Sequence, residues 1–555
     1  MDEVTGGVSG DTFTADLLTV TDGDTLDGGA GSDTLNAEIN SAVTDKVTVA
    51  NIENINVTSF GANSIDTKNM SGVETLTSKD STGAITLNNL ADPTVALGLE
   101  GSSTNDITAN YTAGSLGGTS DALKVVLNTA AAVSVDVDAG FESATFDVSG
   151  NSDINGFTAP GITTVAVEGS GDLDFANTTI DGIKTLTATT YTGVMTTGTV
   201  SSTNGYVDAD IVGSVEGASI LLGSGNDSIG FTGATNAATK SNTVKLGAGD
   251  DQLVADVAGT GDTYIFGEAG NDQIRIDTTN LGTGDLIDGG AGTDTVLLNV
   301  GGANSLVLRS VENLNLTSTA TGTQTINSSD TALNVTANVD GSAVDLADLV
   351  AGSTVKVQTE SGAATSTAGA VSVGFKSAEA SSTVDIESGM DNGALTLTNI
   401  TNATVDLGAE SGTGTASTVA TTGSEALTIN ATGAYEATTV QATDDKLTSV
   451  TIAGTDAVAT TNIGAATTDS LETVSATASK ALSVGSIGID STKNTSVSLT
   501  SSTDAVTAGI IGNSAATGTL ALTINAEKDI TQTGAIDSTK AGNITIASTS
   551  GAIDV

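Results

Sequence analysis

Four glycine-rich turns that end in aspartate hold most of the chemically capable side chains of this chain. They read LGSGNDSI at Leu222–Ile229, LGAGDDQL at Leu246–Leu253, FGEAGNDQI at Phe266–Ile274 and DGGAGTDTV at Asp288–Val296. Glycine permits a sharp, partly left-handed backbone that lets carbonyl oxygens converge, and the Asp that follows adds a charged oxygen. Because ligands made only of carboxylate and carbonyl oxygen suit hard cations, the pattern predicts binding of calcium above all.

The spacing of these turns indicates which elements position them. The Asp residues that close the turns, Asp227, Asp251, Asp272 and Asp294, are separated by 24, 21 and 22 residues. Shorter GTGD turns at Gly259–Asp262 and Gly282–Asp285 alternate with the later ones, and a short strand lies between each pair. A chain that turns, runs one strand, turns and runs back forms a coil of a parallel β-roll. Stacked loops would then bring carboxylates to about 5 Å, where they repel by roughly 3 kcal/mol at an effective dielectric of 20, unless a cation lies between them.

These residues resemble the glycine- and aspartate-rich repeats of RTX proteins, and DGGAGSDTL at Asp27–Leu35 and DGGAGTDTV at Asp288–Val296 resemble them most closely. The resemblance implies a β-roll in which the Asp side chain and the loop carbonyls of each repeat hold calcium. This chain departs from the family because it has one good repeat per 21–24 residues in place of tandem nonapeptides. We expect several Ca²⁺ ions, and the expected ligands are Asp24, Asp27, Gly29, Gly31, Asp33, Gly223, Gly225, Asp227, Gly247, Gly249, Asp250, Asp251, Asp262, Gly267, Gly270, Asp272, Asp285, Asp288, Gly290, Gly292 and Asp294.

Composition excludes several classes of function. The 555 residues include 66 acidic and 16 basic ones, and the formal net charge of −50 makes nucleic acid and anionic membrane surfaces improbable partners. The chain contains no Cys and no His, which excludes disulfides, Cys or His zinc sites and Ser–His catalytic relays. No apolar run approaches the ~18 residues of a membrane helix. Aromatic residues are only 3% of the chain, so we expect a thin core of small aliphatic side chains.

Short runs of alternating apolar and polar residues predict an all-β fold along the whole chain. We expect a parallel β-roll or β-helix solenoid with about 21–25 residues per coil, and only Asp345–Val350 has a weak helical pattern. Four segments are expected: an RTX-like entry unit at 1–60, a solenoid arm rich in Thr, Ala and Gly at 61–217, an RTX-like roll at 218–300 and a second arm at 301–555. A bend or domain break is expected near 200–220.

The second arm has the most regular pattern. Matching apolar residues recur at steps of 23, 22, 25, 25 and 22, which predicts one coil per step, and they are Ile429, Ile452, Val474, Leu499, Ile524 and Ile546. The duplicated order DGGAG(S/T)DT followed by (I/V)EN(I/L)N(V/L)TS places Glu53 and Glu312 at 26 and 24 residues after Asp27 and Asp288.

Few residues suit catalysis, and no enzymatic activity is expected. Paired carboxylates are the chemistry of a glycosidase, but the acids here fit solvated faces or calcium ligands better. Arg275 and Arg309 lie outside any cluster, so a polysaccharide lyase has no obvious base. Rows of Thr, as in TLTATT, are interpreted as filling outward strand positions in preference to forming an ice- or carbohydrate-binding face.

The order of these motifs also resembles Gram-negative surface-layer proteins of the RTX type. The resemblance implies a calcium-dependent structural protein that leaves the cell through a type I channel without a cleaved N-terminal signal, folds outside and assembles with itself into a surface lattice. The expected partners are further copies of the chain and, through an anchor domain not present here, cell-surface polysaccharide, with no membrane insertion. An RTX adhesin segment or the calcium-binding module of a secreted polysaccharide-acting enzyme is the alternative. The chain is expected to be a fragment, since it begins within repeat-like sequence and ends without an evident signal.

Overall fold

In the computed structural model, every regular element of the described residues is a β-strand. The structure describes residues 2–555 except 18, 102–105, 176–182, 198–216, 237–239, 260, 279–280, 283, 301–303, 319–322, 329, 340–342, 359–365, 369, 387–389, 393, 409–415, 443, 465–469, 489–492, 513–517 and 538–539. The chain divides into two compact units, Met1–Arg275 with Asp288–Asp294 and Ile276–Ile287 with Thr295–Val555. Among the described residues, no helix is long and apolar enough to cross a membrane.

The strands up to Phe266 belong to the first unit. They are β1 Glu3–Thr5, β2 Thr12–Ala15, β3 Thr25–Asp27, β4 Thr34–Ile39, β5 Thr48–Ala50, β6 Asn54–Ser59, β7 Asn63–Asp66, β8 Met70–Ser71, β9 Thr75–Lys79, β10 Ile85–Leu90, β11 Ala96–Glu100, β12 Ile107–Tyr111, β13 Ala122–Asn128, β14 Val133–Val137, β15 Ser143–Val148, β16 Ser152–Thr158, β17 Thr164–Gly169, β18 Leu173–Asp174, β19 Thr185–Thr187, β20 Met195–Thr196, β21 Ser219–Leu221, β22 Ser228–Asn236, β23 Asn242–Lys245, β24 Gln252–Gly259 and β25 Thr263–Phe266. β26 Gln273–Thr278 and β27 Leu286–Asp288 follow.

The remaining strands belong to the second unit. They are β28 Thr295–Val300, β29 Asn304–Arg309, β30 Asn313–Ser318, β31 Thr323–Ser328, β32 Asn334–Val339, β33 Ala343–Leu349, β34 Thr354–Gln358, β35 Ser366–Ala368, β36 Val371–Ile386, β37 Met390–Asn392, β38 Ala394–Leu407, β39 Ala416–Thr422, β40 Ala426–Ala431, β41 Tyr435–Ala442, β42 Ser449–Gly454, β43 Val458–Ile463, β44 Thr473–Ala478, β45 Leu482–Ile487, β46 Thr495–Ser501, β47 Val506–Gly512, β48 Thr519–Ala526, β49 Ile530–Gln532, β50 Ile536–Asp537, β51 Lys540–Ser548 and β52 Ile553–Asp554.

Each unit is a parallel β-solenoid, as the sequence predicts. In the first unit most strands pair in parallel with the second strand after them, so that one ladder runs from β2 to β25 and another from β7 to β24, while β1, β3, β5 and β8 form a short third sheet. Inward residues stack from coil to coil at alternate positions along each strand. In the first ladder one such column contains Leu35, Ile55, Leu76, Leu97, Val125, Phe146 and Val167. The core is therefore a set of columns that are mainly aliphatic, although aromatic rings such as Phe146 also occur in them.

The second unit repeats this design with two ladders. The long strands β36 and β38 belong to both ladders, because each continues from one face of the coil onto the next. The predicted apolar column is present at Ile429, Ile452, Leu499, Ile524 and Ile546, but its third member is Ala476 and the prediction of Val474 is wrong. Val474 lies two residues before Ala476 and pairs with Val450 and Val497 in the neighbouring inward column. Both residues face the core, since the side-chain period of a strand is two.

The weak helical pattern at 345–350 is a strand, so that prediction is wrong. Val344 and Leu346 of β33 are buried and their neighbours are not, which is the alternation of a half-buried strand. The pairing with β36 shifts between Leu346 and Leu349, and Asp348 there has a φ of 58°. The bulge explains why the apolar spacing looks helical over so short a stretch. The predicted break near 200–220 falls largely on 198–216, which lies outside the described residues.

Truncation of one side chain in a core column tests the stacking of inward residues. Leu499 is fully buried between Ala476 and Ile524, so Leu499→Ala should lower the free energy of unfolding by about 2–5 kcal/mol. The neighbouring outward residue gives the control, and Thr500→Ala should change it by no more than about 0.5 kcal/mol. Urea denaturation followed by circular dichroism measures both. Equal effects of the two changes would contradict the assignment of inward and outward faces.

Candidate metal centre

Four glycine turns of the first unit stack directly on one another, and we call them the central loop stack: 223–227, 247–251, 267–272 and 289–294. Their alanine amides donate towards the preceding turn, as Ala248 N–H does to the Gly223 carbonyl at 2.9 Å. Their following glycine amides donate towards the next turn, as Gly249 N–H does to the Ala269 carbonyl at 2.8 Å. Ala269 also bridges in parallel to Ala291. Each loop is thus held by backbone hydrogen bonds on both sides.

The close approach of the loops requires glycine. A Cβ on Gly270, which has a φ of 141°, would lie 1.7 Å from the carbonyl oxygen of Gly249. Gly292 stands in the same relation to the carbonyl of Gly270, at 1.8 Å. Glu268 occupies a position that is glycine in the neighbouring turns and has a φ of 71°, which is strained for a side chain with a Cβ. The sequence pattern of the turns therefore reflects contact between backbones.

The Asp residues that close these turns form what we call the inner column: Asp227, Asp251, Asp272 and Asp294. Each Oδ1 accepts a hydrogen bond from the backbone N–H at the equivalent position of the preceding coil. Asp251 Oδ1 lies 2.7 Å from Asp227 N, Asp272 Oδ1 2.9 Å from Asp251 N, and Asp294 Oδ1 2.8 Å from Asp272 N. The column begins one coil earlier, where Met195 N–H donates to Asp227 Oδ1 at 2.7 Å. The structure thus brings together all four residues predicted from the 21–24-residue spacing.

The inner column is almost completely removed from water, with each of its side chains no more than 1% exposed. Burial raises the pKa of Asp227 to about 7, although the Met195 N–H opposes the shift. Burial raises the pKa of Asp251 to about 8, opposed by the Asp227 N–H and increased by the neighbouring carboxylates of Asp227 and Asp272. Burial likewise raises the pKa of Asp272 to about 6, opposed by the Asp251 N–H. Without a bound cation, these carboxylates are difficult to ionise.

A second stack lies at the amino-terminal end of the first unit, and we call it the N-terminal loop stack: 6–11 and 28–33. Asp33 is fully buried, and its Oδ1 accepts the N–H of Asp11 at 2.6 Å. The N–H of Asp33 in turn donates to Glu53 Oε2 at 2.7 Å. The predicted Asp27–Leu35 motif is therefore stacked on an earlier turn.

Sequence reasoning did not assign Asp11 or Glu53 to the site. Gly6 and Gly7 precede Asp11 at the spacing at which Gly28 and Gly29 precede Asp33, which is the signal that would have found Asp11. Glu53 belongs to the (I/V)EN motif, whose recurrence indicates a duplication but has no metal-ligand pattern. Glu142 acts in the same way on another coil, where it accepts the N–H of Asp121 at 2.8 Å. Glu142 stands in the sequence FES, so a Glu replaces the loop Asp as acceptor both within the (I/V)EN motif and outside it.

Both stacks contain places where a carboxylate oxygen and a carbonyl oxygen converge beside a glycine. A Cβ on Gly267 would lie 2.3 Å from Asp272 Oδ2 and 2.2 Å from the Gly289 carbonyl oxygen. A Cβ on Gly28 would lie 2.6 Å from Asp33 Oδ2 and 1.9 Å from the Asn51 carbonyl oxygen. We call these two places cradles.

A third cradle lies at Gly6, between Asp11 Oδ2 and the Gly28 carbonyl oxygen at 2.7 and 2.1 Å, but there Asp11 Oδ2 also accepts the N–H of Gly7 at 2.5 Å. In each cradle the glycine lies five residues before the Asp. Leu222 and Leu246 stand at the equivalent positions of the first two central turns. The cradles as measured are therefore specific to the turns that have glycine there.

The converging oxygens fit a hard cation. Within the described part of the chain, Oδ2 of Asp33, Asp251 and Asp272 is buried and has no hydrogen-bond partner. Two acceptor oxygens that face the same space repel unless a positive charge or a proton lies between them. The described residues contain no group of three or more His, Cys, Asp or Glu side chains placed to hold a metal. Backbone carbonyls would therefore have to supply most of the ligands, as they do in many calcium sites.

The residues just before the inner column form an exposed outer column. Asn226 Oδ1 accepts the N–H of Asp250 at 2.9 Å, Asp250 Oδ1 accepts that of Asn271 at 2.7 Å, and Asn271 Oδ1 accepts that of Thr293 at 2.9 Å. These bonds run in the direction opposite to those of the inner column. Asp250 was predicted as a metal ligand, but its exposed side chain acts here as a link between loops.

The other predicted Asp residues belong neither to the inner column nor to a cradle. Asp24 Oδ1 accepts the N–H of Asp2 and its Oδ2 that of Thr21, and these donors hold its pKa below the usual range. Asp285, in the second unit, accepts the N–H of Gly282 at 2.6 Å. Asp27 Oδ1 accepts the Asn51 amide and the Gly29 N–H, at 2.9 and 3.0 Å. Their turns use these carboxylates as hydrogen-bond acceptors.

Two further predicted ligands lie beside strands that pair with the loop coils. Asn242 N–H donates to the backbone carbonyl of Asp262 at 2.9 Å, and Gly267 N–H to that of Asp288 at 2.8 Å. Tyr264 donates to Asp262 Oδ2 at 3.2 Å. The metal roles predicted for Asp262 and Asp288 stay predictions, and neither residue belongs to a cradle.

Neutralising one cradle residue tests the cation site. Asp272→Asn keeps the Oδ1 acceptor but removes the buried charge, so unfolding in chelator should require about 1–3 kcal/mol more free energy. Calcium should stabilise this variant less than the wild type by the contribution of one site, which is about 2.7 kcal/mol at a calcium concentration 100 times Kd. Asp250→Asn makes the same change of charge on the exposed outer column and should leave both values nearly unchanged. Denaturant titration with and without calcium measures them, and equal behaviour of the two variants would exclude the cradle as a site.

The raised pKa values predict how stability depends on pH without calcium. The ordinary pKa is 3.8, and the folded values of Asp227, Asp251 and Asp272 are about 7, 8 and 6. The folded chain therefore binds more protons than the unfolded chain between about pH 4 and 8, so the free energy of unfolding in chelator should fall as pH rises through this window. Saturating calcium should reverse the slope, since the cation binds the ionised form. Thermal melts at several pH values measure both slopes, and a flat profile in chelator would contradict the predicted burial of these charges.

Comparisons with known proteins do not add to this description. No protein-family model, no curated protein and no solved structure matches the chain. The site is therefore defined by its own geometry: two stacks of glycine loops, a buried column of carboxylates and three cradles of converging oxygens.

Proposed function

We propose that this chain is a calcium-dependent structural protein that folds outside the cell and assembles with copies of itself into a surface layer. The observation that carries the calcium dependence is the set of buried carboxylate oxygens, Oδ2 of Asp33, Asp251 and Asp272, that have no partner within the described residues. The assembly and the location rest on the resemblance to RTX surface-layer proteins and on the charge of −50.

The proposed mechanism couples cation binding to folding. Where calcium is scarce, ionised carboxylates in adjacent loops repel and lose water on burial, so the coils that contain the loop stacks are destabilised. Where calcium is abundant, the cation supplies the positive charge that the converging oxygens lack, and its binding free energy becomes folding free energy. A site at a calcium concentration 100 times its Kd contributes about 2.7 kcal/mol, so a few sites suffice to decide whether a marginal domain folds.

The proposed ligands determine which cation binds. They are all oxygen atoms, which favours a hard ion, and the loop carbonyls tolerate the irregular, high coordination that calcium accepts. Magnesium requires near-ideal octahedral geometry and gives up water reluctantly, so it should substitute poorly. An adhesin segment or the calcium-binding module of a secreted enzyme would use the same loops without forming a lattice.

Calcium titration from a chelated start, with magnesium as the control, tests the proposal. Circular dichroism should show strand signal appearing at millimolar or lower calcium, and electron microscopy should show ordered sheets at higher protein concentration. Folding with calcium but without association would favour the adhesin or enzyme module. A chain that is fully folded in chelator and unchanged by calcium would exclude the calcium-dependent function.

A further inference from the structure

The coil that precedes the central loop stack contains a related turn, residues 188–195, which we call the template turn. Its Gly193 corresponds to Gly225 of the stack, because a Cβ on Gly225 would lie 2.2 Å from the Gly193 carbonyl oxygen. Met195 therefore stands at the position equivalent to that of Asp227, to which its N–H donates. Met195 is fully buried and uncharged, so the inner position of this turn needs neither a proton nor a cation.

The hydroxyl of Tyr191 lies beside two backbone carbonyls of these coils. It donates to the Gly171 carbonyl oxygen at 2.5 Å and lies 3.2 Å from that of Val194. A Cβ on Gly193 would lie 2.2 Å from the Gly171 oxygen and 2.7 Å from the tyrosine hydroxyl, an arrangement similar to that of the cradles. In a cradle both oxygens only accept hydrogen bonds, whereas a tyrosine hydroxyl also donates. These oxygens therefore need no positive charge between them.

The outer column continues into the same coils. Asn151 Oδ1 accepts the N–H of Asp172 at 3.1 Å, and Asp172 Oδ1 accepts that of Val194 at 3.0 Å. These bonds have the same direction as the bond between Asn226 and Asp250 in the stack. The template turn and the turns of the stack therefore share one pattern of hydrogen bonds between coils, and they differ in the residue at the inner position.

The main chain of the template turn contacts the first turn of the stack. The carbonyl of Tyr191 accepts the N–H of Ser224 at 3.1 Å, and a Cβ on Gly223 would lie 2.1 Å from this oxygen. The N–H of Met195 donates to Asp227 Oδ1 at 2.7 Å. Because the Tyr191 side chain ties the template turn to the preceding coil, it positions both the acceptor and the donor that the first turn uses.

The core beside the template turn contains the largest buried side chains. Among the described residues, the four largest fully buried side chains are Tyr191, Phe141, Phe146 and Phe175. The rings of Phe146 and Phe175 pack edge to face, with centroids 5.3 Å apart. Aromatic side chains bury a large apolar area, and apolar burial stabilises a fold without an ion. We expect these coils to fold in the absence of calcium.

We infer that Tyr191 is a positioning residue for the proposed calcium binding. Its hydroxyl replaces a cation, so the template turn is ordered before calcium binds and sets the register of the first turn of the central loop stack. The inference rests on the proposed function and adds a direction to it. Each ordered turn offers backbone groups to the next, as the Gly223 carbonyl does to the Ala248 N–H. The stack therefore orders from its amino-terminal end.

Hydrogen exchange of the full chain, measured by mass spectrometry in chelator, tests this order. Peptides from β15, β16, β17 and the template turn should exchange at least about tenfold more slowly than peptides from the central loop stack. Calcium should then slow exchange in the stack. If the stack gains protection in calcium but the template turn is equally unprotected without it, the inference is wrong and the proposed function stands. If calcium changes exchange in neither region, the proposed function fails together with the inference.

The variant Tyr191→Phe tests the hydroxyl, and Tyr111→Phe is the matched control. The Tyr111 ring packs against Phe141 with centroids 5.1 Å apart, and its buried hydroxyl has no hydrogen-bond partner within the described residues. In chelator, Tyr191→Phe removes the donor to the Gly171 carbonyl and should speed exchange of the template turn about tenfold or more. Saturating calcium should restore the wild-type rate, because the ordered first turn then holds the template turn through Ser224. Tyr111→Phe should leave both rates unchanged.

The calcium response separates a positioning role from a general structural one. Tyr191→Phe should raise the calcium concentration at the midpoint of a circular dichroism titration about twofold or more, because fewer molecules have an ordered template turn, and Tyr111→Phe should not. Equal loss of protection in chelator and in saturating calcium, or an unchanged midpoint, would overturn the inference. If Tyr191→Phe does not fold in saturating calcium, the exchange pattern of the wild type decides.

Discussion

The fold of the first unit depends on which groups replace the hydrogen bonds to water that its carboxylates lose on burial. A carboxylate inside a protein requires hydrogen-bond donors, a proton or a cation. In the inner column, Asp251 and Asp272 each accept one hydrogen bond at Oδ1, Asp251 from the amide of Asp227 and Asp272 from the amide of Asp251, and the buried Oδ2 of each has no hydrogen-bond partner among the described residues. In the Gly267 cradle, Asp272 Oδ2 converges with the Gly289 carbonyl oxygen, which can accept a hydrogen bond but cannot donate one. The glycine turns, the raised pKa values and the need for a cation all follow from this incomplete replacement of hydrogen bonds to water.

Other coils change the residue that accepts this amide. Glu53, in the (I/V)EN motif, and Glu142, in the sequence FES, accept the amide of a preceding coil through a longer side chain. In the second unit, Ser353 supplies a neutral oxygen to the N–H of Leu333 at 2.9 Å. Since each coil of a solenoid contacts only its neighbours, charged and neutral turns can be combined in one stack.

Much of the fold could be predicted from the sequence, because each repeat of 21–25 residues forms one coil of the stack. The strands, the parallel pairing and the residues of the inner column follow from period and composition alone. The direction of the hydrogen bonds does not, since an Asp in a turn has donors within reach on both sides. Val474 was misplaced because Val474 and Ala476 both face inward, and alternation alone does not set register. Asp11 and Glu53 were missed because only stacking shows that they continue a column.

The hydrogen bonds that join the four Asp residues of the inner column run in the same direction along the chain, from the amide of one turn to a carboxylate that lies 21–24 residues later. Each coil therefore offers one acceptor to its predecessor and one donor to its successor. A coil inserted within the column leaves this count unchanged, so gene segments that encode whole coils can be duplicated without leaving a backbone amide of the column unsatisfied. The duplicated order of motifs around Asp27 and Asp288 is what a chain extended in this way would contain, and the length of such a solenoid is set by how often the unit is copied.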